Sequence, residues 1–245
     1  SDNYIAHNRI TDVPRYAISM KSQGEDYLAH RNVVEFNDIR RTNLETNDTG
    51  AIESLGYEYR DSGNMIRYNR ILDVVGMIAT PEGRIVSPYF SWGIYLDDYS
   101  SGTTIYGNIV ARTTTGGVCI HAGKNNLVEN NILVNGRDRQ VHLHPENKPM
   151  VDNRFLRNIV AYSRSEAEIF YLFQAWKPNQ QGRFAESDYN LFWLTNGDLN
   201  TLGTKNTPNG PFAAWRAAGF DSHSVIADPK FVNPKEDDYR LAPDS

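Results

Sequence analysis

The chain has 245 residues and a net charge of −5, from 25 basic and 30 acidic side chains, with 40% apolar residues. That balance excludes a general binder of nucleic acid or of anionic membranes, and no apolar run approaches the roughly 20 residues that a membrane-crossing helix needs. Cys119 is the only cysteine, which excludes an intrachain disulfide framework and any four-cysteine zinc module. Asparagine is over-used, with 24 residues, many of them just before a short apolar pair.

The chain opens at Ser1-Asp-Asn-Tyr-Ile in strand-like sequence, with no initiator Met and no signal-peptide pattern. This leads to the expectation that it is part of a longer protein. From there one unit recurs, an apolar residue followed a few positions on by Asn-x-Ile/Val. In chain order its copies are read at Asn8, Asn32, Asn69, Asn108, Asn131 and Asn158, with a looser one at Asn190. Shorter spacings of 23 to 27 residues suggest one bare turn of a solenoid, and longer ones, up to 39, a turn with an inserted loop.

A second strand with period-two alternation precedes most of these units. The copies are Ala17-Ile-Ser-Met20, Ala51-Ile-Glu-Ser54, Gly93-Ile-Tyr-Leu-Asp97, Gly117-Val-Cys-Ile-His121 and Gln140-Val-His-Leu-His144, with residues 169–174 as a further candidate. Helical patterning is nearly absent before residue 195. Short strands repeating about every 23 residues, with Gly and Asn at the corners, predict an all-β fold, a right-handed parallel β-helix of about seven turns. Asparagines stacked from turn to turn would explain their excess. The competing architecture is an ordinary sandwich or barrel.

Helix signals come only near the C-terminus, where Pro211 opens and Gly219 closes a short apolar run. Solenoids need ends that stop edge-to-edge growth. Residues 1–186 are therefore read as β-helix turns lacking N-terminal ones, and 187–245 as the last turn and a C-terminal cap containing one short helix. The first coil, at Tyr4–Ile10, would leave an open edge, so self-association through that edge is expected.

Trp92-Gly-Ile-Tyr-Leu-Asp-Asp98, Ser101-Gly-Thr-Thr-Ile-Tyr-Gly-Asn108, residues 116–131 and the tail Ala227-Asp-Pro-Lys-Phe-Val-Asn233 resemble the pectate-lyase-like β-helix proteins of bacterial polysaccharide-degradation systems. The group they resemble most is the glycoside hydrolases of the α-fucosidase/xylanase type, over most of residues 50–240. The resemblance implies a secreted bacterial protein, extracellular, periplasmic or on the cell surface, acting on a plant or algal polysaccharide or oligosaccharide. One departure is Val141-His-Leu-His144, where such proteins often carry an acidic residue.

Alternation also indicates where chemistry sits. With Ile94, Leu96, Val118, Ile120, Val141 and Leu143 facing inward, the outward residues of successive turns, about 4.8 Å apart, form two ladders: Tyr95–Cys119–His142 and Asp97–His121–His144. Glu53 joins the first, one turn earlier. Asp97 and Asp98 read as a carboxylate pair for glycosidic acid/base work or as ligands for Ca²⁺, and otherwise as an ordinary turn. Asp138 or Glu53 is the candidate second carboxylate, and His121 and His144 are candidates to tune protonation. Candidate substrate-binding residues are Glu53, His142, Arg137 and Arg139, with Trp92, Tyr95 and Trp176 as sugar platforms. Cys119 reads as inert packing. Beside glycoside hydrolysis stand two alternatives, a polysaccharide lyase using Ca-assisted β-elimination and a non-catalytic sugar-binding or structural β-helix.

Overall fold

The computed structural model describes residues 1–22, 24, 27–172, 184–197 and 212–245. Three parallel sheets wrap one core, each receiving one strand per coil. The first sheet stacks Tyr4–Ala6, Val33–Glu35, Met65–Arg67, Thr104–Tyr106, Leu127–Glu129, Arg154–Leu156 and Glu186–Asp188. The second stacks Arg9–Thr11, Asp38–Thr42, Arg70–Val74, Ile109–Thr113, Ile132–Val134, Ile159–Tyr162, Leu191–Leu194 and Val225–Ile226. The third stacks Ile18–Ser22, Thr49–Gly56, Ser91–Asp97, Gly116–His121, Arg139–His144 and Glu168–Leu172. The expected fold, a parallel β-helix of about seven coils, is the fold found; residues 173–174 of one expected strand lie outside the described residues.

The three-residue strands of the first sheet each send one side chain inward. Val34, Ile66, Ile105, Val128 and Phe155 form one such column, fully buried in register. The second sheet adds Ile39, Ile71, Val110, Leu133, Val160 and Phe192, and the third adds the expected Ile94, Leu96, Val118, Ile120, Val141 and Leu143. A closed apolar cylinder results, because each inward residue meets its counterpart in the next coil.

Buried asparagines tie the corners. Between the first and second sheets the ladder runs Asn8–Asn37–Asn69–Asn108–Asn131–Asn158–Asn190, each amide donating to the next carbonyl oxygen. Its second rung is Asn37, not Asn32. Asn32 belongs to a separate ladder entering the first sheet, with Asn3 and Asn64, continued in later coils by Asn126 and Asn153. Both asparagines stand two residues before a Val or Ile, Val34 and Ile39, so the same Asn-x-Ile/Val pattern fits either. The residue before each rung of the long ladder has a positive φ, at His7, Phe36, Tyr68, Gly107, Asn130, Arg157 and Tyr189, and this left-handed residue turns the chain from one sheet to the next.

Two departures from the bare coil matter for the site. The third coil makes an excursion through an antiparallel pair, Ile78–Ala79 with Ile85–Val86, before re-entering the third sheet at Ser91. At the C-terminal end, helix Phe212–Ala217 lays Phe212 and Trp215 on the core aromatics Phe192 and Phe170, where the expected helical cap falls. The remaining tail turns back along the outside of the second sheet. There Tyr239 packs with Leu72, Ala111 and Val134, and Asp237 pairs with Arg112 and lies 3.8 Å from Arg40. Among the described residues no helix is long and apolar enough to cross a membrane.

Candidate active site

The outer side of the third sheet carries both ladders in the expected register. Tyr95 lies beside Glu53 and Cys119, Cys119 beside His142, and His121 beside His144. Asp97 completes the second row through a 2.8 Å hydrogen bond between its Oδ1 and His121 Nδ1. After Asp97 the strand ends in two residues of positive φ, Asp98 and Tyr99. The turn is fastened by Asp98 N–H donating to Asp97 Oδ1 at 2.9 Å and by Tyr99 N–H donating to the His121 carbonyl at 2.9 Å. Both carboxylates are thereby held at the sheet edge.

Loops close this face into a cleft of about 250 Å³, lined by Asp48, Phe90, Trp92, Tyr95, Asp97, Asp98, Cys119, His121, His142 and His144. Phe90, delivered by the third-coil excursion, packs its ring 4.5 Å from that of Trp92, and its carbonyl accepts the Asp48 N–H at 2.7 Å. The Tyr57 hydroxyl bonds Asp98. Glu146 follows the last histidine strand and places Oε1 3.3 Å from His121 Nε2 and 3.7 Å from His144 Nε2.

Burial and charge set the protonation states. Burial first, and then the charge of Asp97, raises both Asp98 and Asp48 above the usual carboxylate range. At His121 burial opposes the imidazolium, but hydrogen bonds to Asp97 and Glu146 outweigh it and the net shift is upward. His142 is driven down to about 2 by burial and then by the Arg139 charge, so its ring is neutral, and His144 is lowered by burial and then by His121. Both His142 nitrogens and the Trp92 indole N–H are buried without a hydrogen-bond partner. Burial pushes the Cys119 thiol up, in keeping with an inert cysteine. Two sets of ligand atoms lie within 4.8 Å of one another, those of Asp97, Asp98 and His121, and those of His121, His144 and Glu146.

Of the residues singled out from sequence, Asp97, Asp98, His121, His142, His144, Trp92 and Tyr95 meet in the cleft. Glu53, Arg137, Asp138 and Arg139 do not line it. Glu53 is buried in an ion pair with Lys21 at 2.9 Å and accepts a hydrogen bond from Thr49. Asp138 faces Arg137, 3.9 Å away, and Arg139 lies over the Tyr171 ring at 3.7 Å. Trp176 lies outside the described residues. Trp92 and Tyr95 are only 1% and 4% exposed and form a small cluster with Cys119. The open ring surfaces at the rim are instead Phe90 and Tyr57, at 40% and 51%. Asp48, Phe90, Tyr57 and Glu146 were not legible in the sequence. Only Glu146 carried a signal, standing two residues beyond His144.

A coiled parallel sheet with a carboxylate and imidazole cleft on one outer face defines a β-helix protein. The chain belongs to the right-handed β-helix family: the family described as right handed beta helix region matches residues 1–166, more than half of the chain. No curated protein and no solved structure matches it.

Proposed function

We propose that the protein is a carbohydrate-active enzyme that hydrolyses glycosidic bonds in this cleft. The observation that carries the reading is the convergence of Asp97 and Asp98, oriented by His121 and the Asp98 backbone N–H, in a recess with Phe90 and Tyr57 at its rim. Glycoside hydrolysis needs one carboxyl group to protonate the leaving oxygen and a second to act on the other side of the scissile bond. Asp98, next to the Tyr57 hydroxyl, is assigned the proton-donating role, and Asp97 that of its partner carboxylate. Exposed aromatic rings beside carboxylates suit a sugar, which presents apolar C–H faces and a belt of hydroxyl groups. The lining contains Asp48, Asp97 and Asp98 and neither Lys nor Arg. Such a recess favours neutral sugars over a uronate, whose carboxylate it would repel. A polysaccharide substrate would be met outside the cytoplasm.

The test is reducing-sugar release from a panel of neutral plant and algal polysaccharides. Asp98→Asn is expected to lower turnover by about 100-fold or more, with folding intact by circular dichroism. Wild-type turnover in both Asp97→Asn and Asp98→Asn would dismiss the assignment. An unsaturated product absorbing in the ultraviolet would indicate a lyase, and glycan binding without product a binding module.

A further inference from the structure

We propose that His121, His144 and Glu146 form a mononuclear binding site for a divalent transition metal of the zinc class, with Asp97 as the outer partner that orients His121. This is independent of the hydrolytic reading, since metal binding can be measured without a sugar.

The fold builds the site. His121 and His144 are register partners on adjacent strands of the third sheet, so their side chains leave the same face, with ring centroids 4.6 Å apart. Pro145 follows directly, and the chain then brings Glu146 back over both rings. A tetrahedral ion bound at about 2.0–2.1 Å needs ligand atoms roughly 3.3–3.4 Å apart. Here the Glu146 oxygen is 3.3 Å from His121 Nε2 and 3.7 Å from His144 Nε2. The two imidazole nitrogens lie within 4.8 Å of each other, so the set closes by drawing the rings together, and Glu146 lies on a partly exposed loop that can follow them.

Asp97 supplies the second observation. Its oxygen is 2.8 Å from His121 Nδ1, which keeps the proton on that nitrogen and turns Nε2 toward Glu146. In the metal-free chain a proton on Nε2 makes this contact a hydrogen bond to Glu146, and a divalent cation would take that proton's place between the same two atoms. Metal-binding histidines are commonly held in this way, with the other ring nitrogen donating to a carboxylate. The donor set also selects the ion. Two imidazoles and one carboxylate suit zinc, cobalt, nickel or iron(II), whereas calcium, considered for Asp97 and Asp98, takes six to eight oxygen ligands. Three protein ligands leave a fourth position for water or a substrate oxygen. The other candidate set would recruit His121 through the nitrogen already engaged by Asp97, so it is disfavoured.

The experiment is titration of the chelator-stripped full chain with cobalt(II), followed by the visible absorption of four-coordinate cobalt, and with zinc by calorimetry. One ion per chain is expected, with a rise in thermal midpoint that grows with zinc concentration. Glu146→Gln and His144→Ala should each weaken binding by at least about 100-fold, and Asp97→Asn by about 10- to 100-fold, the range for an outer partner. Glu146→Gln is nearly isosteric and sits on a loop, so it stays informative should His144→Ala fold poorly. The proposal is overturned if neither metal binds at 100 times the protein concentration. It is equally overturned if Glu146→Gln binds as wild type, or if Asp98→Asn abolishes binding while Glu146→Gln does not.

Discussion

Asn108→Ala removes the central rung of the long asparagine ladder, and the structure sets the size of the loss. Asn108 is fully buried. Its Oδ1 accepts from the Asn69 backbone N–H and from the Asn69 amide, each at 3.0 Å. Its own amide donates to the Ile66 carbonyl at 2.9 Å and to Asn131 Oδ1 at 3.0 Å. Alanine leaves the Asn69 N–H, one Asn69 amide hydrogen and the Ile66 carbonyl each short of a partner in the dry corner. A buried polar group left unsatisfied costs about 1–3 kcal/mol, so with three such groups the variant should lose about 3–9 kcal/mol. That is a large part of the roughly 5–15 kcal/mol by which domains are stable. Asn8→Ala is the control. Asn8 is exposed in the first coil, and only the bonds donated by its amide, to Asn37 and to Ala6, disappear; it should cost less than about 1 kcal/mol. Guanidinium unfolding followed by far-ultraviolet circular dichroism measures both. Equal midpoints for the two variants would refute the view that the ladder is held by its buried amides rather than by the neighbouring strands.

Acidification should release the C-terminal tail. The hydrogen bond from Arg112 holds Asp237 below the usual carboxylate range against the opposing effect of burial; its stabilising contribution is complete above the unfolded value of about 3.9 and is lost as pH falls through the lower folded value. Amide exchange at Tyr239 should therefore accelerate below about pH 4, and exchange in Asp237→Asn should already be fast at neutral pH; an unchanged rate in that variant would count against the clasp. Gly76→Ala should destabilise the cleft wall, because Gly76 has a φ of +75° and a Cβ there would stand 1.6 Å from the Tyr89 carbonyl oxygen. A loss of about 2 kcal/mol or more is expected, seen as a fall of at least about 4 °C in thermal midpoint, and an unchanged midpoint would argue against so close an approach.

Much of the fold was legible because a β-helix repeats its physical constraints. The alternation in Gly93–Asp97 and Gly117–His121 fixed which side chains face inward, and stacking one coil on the next placed Tyr95 beside Cys119 and Asp97 beside His121. The asparagine register was only partly legible. A left-handed residue precedes both asparagines, Arg31 before Asn32 and Phe36 before Asn37, so what separates them is only the corner of the coil each occupies, and neither residue type announces a positive φ. The site was legible where strands carry it and obscure where loops do. Asp48, Tyr57 and Phe90 owe their positions to long-range docking, and Trp92 is buried because an excursion ending at Phe90 folds over it. Asp138 and the arginines beside it are close in sequence to the histidine strand, yet the coil corner turns their side chains to other partners.

The tail along the second sheet alters how the solenoid can come apart under load. A stack of coils that touch only their neighbours peels from its ends, one coil at a time. Here the segment leaving the last strand of the second sheet, Val225–Ile226, runs back to Leu72, Ala111 and Val134 and clasps Arg112 through Asp237. Pulling on the C-terminus therefore loads the middle of the stack before it loads the end. The terminal coils are shielded until the clasp shears, after which they can unravel in sequence. The protein should yield first by one sideways slip, and only then like an unwinding spring.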